Sequence, residues 1–420
     1  MKTKSIFLSI LFIIASLMLP LKSLAITSDY DLVTPPPPDY GPDSYDLTLG
    51  QENNTSTKTE LSPDEIPQAE YSTAIILSID TKGSHKIAGN YTEDYQTYTV
   101  KILSGKEKNK EVTIKNSGVQ TIDKLENRKV GEKIVVVKTY SVDGTVTYDY
   151  ADNYRIPALL LILGIFIFFV LLLGRLKGFG SLLGLIFSIL VLGFFIVPQI
   201  AHGKNPLTVT IIGSLFIVCI SLYLAHGFNK RTNLSLLSTI ITLVISIIMA
   251  QIFVRMASLF GMGSEEAFFL QTTQFGDINL QGLLLAGIII GTLGVLDDIT
   301  TAQTAVVGEL RFANPNLNKN ELNKRALVVG KEHISSLVNT LVLAYAGASL
   351  PLFLLFSASQ NSPIWYTINS QFISEELVRT LVGSLSLILA VPISTYIAAH
   401  FLSKQDVTKM HEANYHGHHH

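Results

Sequence analysis

The chain has 420 residues, 48% of them hydrophobic and only 15% charged, with a formal net charge of −2 and a mean hydropathy of +0.38. That is too apolar for an ordinary soluble protein, while the charge alone excludes no class of partner. One cysteine, Cys219, rules out disulfides within the chain and cysteine-based metal or redox centres.

Residues 1–25 read as an export signal: Lys2 and Lys4, an apolar run from Ile6 to Leu19, then Ser23-Leu24-Ala25 as a small-x-small cleavage site. An uncleaved anchor is the alternative, and either form sends the following residues out of the cytoplasm. No cysteine follows, so this is not a lipoprotein signal. Residues 26–70 carry the Pro35–Pro38 run among Asp, Ser, Thr and Asn, and predict a flexible acidic tether, stiffened locally as polyproline II. A spacer and a peptide-recognition segment both fit it.

Residues 71–150 hold five short β-branched stretches separated by Gly, Asn, Asp and Lys turns, with Val142-Asp143-Gly144-Thr145 as a tight-hairpin signal. This predicts a small closed or nearly closed all-β barrel of OB-like type, lying outside the cytoplasm as a cap or partner-docking module. It lacks the clustered basic and stacking aromatic residues of a nucleic-acid binder. Tyr91, Tyr95, Tyr98, Tyr140, Tyr148 and Tyr150 are expected to pack the barrel or rest on a membrane surface.

From Pro157 the chain turns into membrane helix, with seven apolar spans expected at 157–174, 179–200, 206–226, 233–254, 280–299, 334–357 and 378–402, a membrane domain over 155–403. With the β domain outside, eleven Lys and Arg fall on inside loops and four on outside loops, the bias of the positive-inside rule. The expected place is a bacterial cell membrane, with residues 404–420 as a cytoplasmic tail. The outside loop Met256–Asn279 fits either an interfacial helix or a plain surface loop. The inside loop from Asn314 to Glu332 repeats Leu322, Ala326 and Val329 at helical spacing, predicting a short amphipathic helix on the cytoplasmic face. Pro351 and Pro392 are expected to kink the sixth and seventh spans.

The candidate site lies in the fifth span, Gly282 to Arg311. Asp297 and Asp298 are adjacent carboxylates at or just inside the bilayer boundary, where ionisable groups line a cavity or a helix interface. Asp297 shares a helix face with Thr301 and Thr304, and Thr300, Gln303 and Glu309 complete a polar run that fits an ion path. Asp298 shares a face with Gly291 and Gly294, and Gly287 with Gly291 makes a small-xxx-small pair. A solvated helix-end cap is the other reading of the Asp pair. His333, Asn339 and Tyr345 open the sixth span on the same side, as packing groups or a relay. The terminal His416, His418, His419 and His420 fit a metal-binding tail or a purification tag.

Nucleotide-loop, zinc-protease, hydrolase-elbow and kinase motifs are absent, so no nucleotide site is evident, no cofactor is implied and enzyme activity is not expected. An intramembrane aspartyl protease needs carboxylates from two spans, and no second Asp or Glu falls inside a predicted span.

GTLGVLDDITTAQTAVVGELR, then VGKEHISSLVNTLVLAYAGASLPLFLLF and EELVRTLVGSLSLILAVPIST, resemble the YibE/F family of bacterial multispanning membrane proteins. The resemblance covers roughly residues 70–402. Its pattern falls on Gly294, Asp297, Asp298, Gln303, Glu309, Arg311, His333, Asn339, Thr340, Tyr345 and Gly347. It implies the architecture and no substrate. Two functions stay open: a gradient-driven transporter or channel for an ion or small solute, and a non-transporting scaffold or sensor whose β domain binds an envelope ligand. Lipid, an envelope or cytoplasmic protein, and a second copy are the expected partners.

Overall fold

The computed structural model describes residues 68–88, 91–117, 128–141, 145–272, 278–358 and 363–404. The expected export signal, most of the tether and the histidine tail lie outside them. The chain divides at Phe166 into a strand unit and a helical unit.

Five strands make the first unit: β1 (Glu70–Ala88), β2 (Tyr91–Ile102), β3 (Glu111–Ser117), β4 (Lys133–Tyr140) and β5 (Val146–Asn153). They close in the order β1-β2-β3-β5-β4, with β1 antiparallel to both β2 and β4. The β3–β5 seam is parallel and rests on one pair, Lys115 with Asp149. Alternation along the strands turns Ala74, Ile76, Tyr98, Val100, Ile102, Val112, Ile114, Ile134 and Val136 into one core. Register shifts after Ile76 and Ile79 let the long β1 bend around the ring. Of the tyrosines expected to pack the barrel, Tyr98 is fully buried and Tyr148 and Tyr150 pack against the core's edge.

The second unit is helical, beginning with the run α1 (Ile156–Ala201). Then come α2 (Pro206–His226), α3 (Lys230–Met256), α4 (Glu265–Thr272), α5 (Leu280–Ala313), α6 (Lys319–Ala348), α7 (Leu350–Ala358), α8 (Ile364–Asn369) and α9 (Gln371–Leu402). Among the described residues, five of these (α1, α2, α3, α5 and α9) are long and apolar enough to cross a membrane. The chain is thus a multispanning helical membrane protein preceded by a β unit.

Asparagine starts the bundle helices. The side chains of Asn205, Asn229, Asn279 and Asn318 accept from backbone N–H groups in the first turns of α2, α3, α5 and α6, and Asn318 forms a full capping box with Glu321.

Three features depart from the expected spans. Helix α1 breaks at Arg175 (φ 50°, ψ −131°). A methyl group at Gly178 would lie 2.4 Å from the Val170 carbonyl oxygen, whereas eight residues of straight helix cover about 12 Å, so the chain doubles back there. Farther along, α1 contains a π-helical turn, Leu192–Ile196, whose Ile196 packs where Gly213 of α2 has no side chain. The amphipathic inside helix is not a separate element: it is the first half of α6, with Leu322 and Ala326 packed against α9 rather than lying on a membrane face. Pro351 sits in the first turn of α7, just after the helix break at Ser349, whereas α9 runs on through Pro392.

Helix α5 is the centre of the unit. Ile289, Leu293, Leu296 and Ile299 join residues of α2, α3 and α9 in the main core. Leu284, Leu285 and Ile288 pack with Val382 of α9 at one end, and Val307 with Ala398, Ala399 and Leu402 at the other. Helices α5 and α9 therefore run parallel.

Candidate functional site

Helix α5 has 34 residues, about 51 Å of α-helix, against a hydrocarbon layer of about 30 Å. Asp297 lies about 26 Å from the Leu280 end, near the middle of the helix.

Asp297, Thr301 and Thr304 lie within one strip of the helix surface. Each keeps a buried side-chain oxygen with no hydrogen-bond partner: Asp297 Oδ1, Thr301 Oγ1 and Thr304 Oγ1. Thr304 is wholly buried. Successive members are one turn apart, so a cation or a proton-carrying group at that strip would meet oxygen ligands in succession.

The other sequence-selected residues go elsewhere. Thr300 is fully buried, and its hydroxyl lies 2.7 Å from the Thr239 hydroxyl of α3, joining two helices. Gln303 sits where α5, α6 and α9 meet: its Nε2 donates to the Ala326 carbonyl (2.9 Å) and to Thr395 Oγ1 (2.8 Å), leaving Oε1 without a partner. Gly330 of α6 makes that meeting possible, since a methyl group there would lie 2.4 Å from Val391. Glu309 is exposed and pairs with Arg231 at 2.8 Å.

Gly291 admits a neighbour, because a methyl group there would lie 2.8 Å from the Tyr345 hydroxyl of α6. Gly287 and Gly294 have nothing within 4 Å of that position. Asp298 and Asn339 are both exposed, so in this structure they do not clasp α5 to α6. His333 is half-buried, with Nδ1 buried and unpartnered. His416, His418, His419 and His420 lie outside the described residues, among which no three His, Cys, Asp or Glu side chains group as metal ligands.

Two features were missed in the sequence. Ser235, Ser238, Thr239, Thr242 and Ser246 form a buried hydroxyl stripe on α3, and Ser384, Ser386, Ser394 and Thr395 are buried on α9. Most return their proton to a carbonyl one turn earlier, as Ser238 does to Leu234 at 2.8 Å. Their spacing of three and four residues in an apolar run was the available signal.

The second is Glu375, 4% exposed, whose Oε1 accepts from the Gly263 N–H (3.0 Å) and from Gln371 Nε2 (2.9 Å). Because α9 begins at Gln371, this carboxylate does lie in a membrane-length helix, against expectation. It is no partner for Asp297. With Gln303 level with Thr395 on parallel helices, the two carboxylates are offset by roughly 21 Å along the axis. At that offset Asp297 and Glu375 do not share a proton or a substrate atom as a carboxylate pair would.

Residues 162–404 match the family described as YibE/F-like protein. The chain belongs to that family. The match starts inside α1, so the strand unit lies outside it and the whole α5 strip lies within. No curated protein and no solved structure matches the chain.

Proposed function

We propose that this chain is a gradient-driven membrane transporter or channel for an ion or small solute, with Asp297 as the carboxylate at its path. The observation that carries the reading is the strip of three buried, unpartnered oxygens at Asp297, Thr301 and Thr304, on a membrane-length helix. A buried polar group left unpaired costs about 1–3 kcal/mol, and a purely architectural hydroxyl has a cheaper solution, as the Thr239–Thr300 pair shows on the same helix. Thr301 and Thr304 are the lining hydroxyls and Gln303 Oε1 a further acceptor. An ion gradient supplies the motive force, since the sequence carries no nucleotide motif and no catalytic role is assigned.

In this reading the helical unit has seven spans: the two arms of α1 either side of Arg175, then α2, α3, α5, α6 and α9. The clustering of Arg231, Glu309, Arg311, Lys319 and Lys404 at one end of the bundle supports that end as cytoplasmic, in a bacterial cell membrane. The strand unit is then an extracytoplasmic cap, and its ring order with a parallel β3–β5 seam supports the OB-like assignment.

The test is ion and solute flux in proteoliposomes, wild type against Asp297→Asn, with and without a pH gradient. Flux should fall at least tenfold in the variant with the inserted amount unchanged, about 1.4 kcal/mol or more of lost stabilisation. Retained flux removes the carboxylate from the mechanism. The self-contained barrel core, outside the family-matched segment, favours a second reading as a non-transporting scaffold or sensor. There, deletion of residues 71–150 abolishes function and Asp297→Asn leaves it intact.

A further inference from the structure

Where the first turn of α3 meets the last turn of α9, an open cavity of about 320 Å³ is lined by Lys230, Asn233, Leu234, Phe401, Leu402 and Lys404. Its lining divides by chemistry. Leu234 and Leu402 are buried, and Phe401 is 53% exposed beside them, giving an apolar wall. Lys230, Asn233 and Lys404 are exposed. Lys404 Nζ lies 3.2 Å from His400 Nε2. Among the described residues neither lysine pairs with a carboxylate; the neighbouring Glu309 is occupied by Arg231.

The helix ends act in opposite senses on an anion here. The amino end of α3 attracts it and the carboxyl end of α9 repels it. That repulsion is already covered: Arg311 from α5 donates to the Ser403 carbonyl at 3.0 Å and to the Leu317 carbonyl at 2.8 Å. What remains is a positive, apolar-walled notch.

We propose that this cavity holds an anionic phospholipid of the bilayer, its phosphate between Lys230 and Lys404 and its first acyl carbons against Leu234, Phe401 and Leu402. The two lysine ammonium groups attract the single negative charge of the phosphodiester. The apolar wall selects the lipid over free phosphate, which has no use for it. The site is separate from the α5 strip and does not depend on transport.

Native mass spectrometry of the full chain, released from nanodiscs with equal phosphatidylglycerol and phosphatidylcholine, tests it. Wild type should retain phosphatidylglycerol about tenfold over phosphatidylcholine, as two lysines near a surface allow. Lys230→Gln with Lys404→Gln should bring the ratio to near one, whereas Lys230→Arg with Lys404→Arg keeps it. Equal retention of the two lipids by wild type, or a preference that survives the glutamine pair, overturns the proposal. Loss of the preference in excess inorganic phosphate at matched ionic strength overturns the lipid as the source of the anion.

Discussion

In the strand unit, apolar side chains fill the ring and charge gathers outside it. Glu107 takes bonds from the Tyr148 hydroxyl (2.6 Å), Lys110 (3.1 Å) and Lys138 (3.2 Å), so every partner in that cluster is answered. The helical unit is inverted. Leu159 to Phe169 of α1 are exposed almost without interruption, while Ser238, Thr239, Thr242, Thr300 and Thr304 are at 0% exposure. Water favours the first arrangement and hydrocarbon the second, since lipid gives apolar side chains no reason to turn inward. The contrast extends to polar groups: the barrel leaves its charged cluster satisfied, whereas the bundle leaves buried oxygens unsatisfied on α2, α5 and α9.

Removing the barrel's central filler should break its half of the contrast. Tyr98 is wholly buried, and Tyr98→Ala should cost about 3–5 kcal/mol, more than a small barrel with one short closing seam tolerates. Limited proteolysis of the full chain should then cut between residues 70 and 153 while the helical signal in circular dichroism persists. Persistence of the intact barrel would show that β1 to β5 do not depend on this core.

Acid should act on the same unit more gently. The Tyr148 hydroxyl, then Lys110 and Lys138, lower the Glu107 carboxyl from its ordinary 4.5 to about 2. A lowered carboxyl stabilises the fold above its unfolded value and loses that contribution as pH falls through the folded one. Barrel melting temperature should therefore decline between about pH 4.5 and 2, and Glu107→Gln should flatten that decline. An unchanged acid profile in the variant would remove Glu107 as its source.

The smallest effect should lie in the bundle. A double-mutant cycle of Thr239→Val and Thr300→Val, read by thermal melting in detergent, should give a coupling of only about 0.6 kcal/mol, the usual worth of such a bond in a membrane helix pair. A coupling several times larger would mean that paired hydroxyls here are as costly to lose as barrel packing.

Much of this was legible along the chain because it depends on local spacing. The five strands followed from β-branched alternation, and the Asp297–Thr301–Thr304 strip from the helical period. Boundaries failed where charge imitated an end. Lys331-Glu332-His333 looked like a loop before the sixth span, yet no Gly-Pro signal stops the helix there and α6 runs on to Ala348. Glu375 and Glu376 hid the first turns of α9 in the same way. Pairings across helices were not legible. Whether Thr300 meets Thr239, or Asp298 meets Asn339, depends on helix rotation, which apolar periodicity sets only to within a broad arc.

The π-helical turn at Leu192–Ile196 is a helix carrying one residue more than its ladder needs. Deleting one residue there would restore the regular ladder and leave the faces on either side in register, because the wide turn already absorbs the extra residue. Gly180 and Gly184, which meet Leu224 and Ser221 of α2, would stay on that seam. Relatives that differ by one residue at this point should be aligned with the gap inside the helix, since a gap in the neighbouring loop would misassign the outward and inward faces of the whole preceding arm.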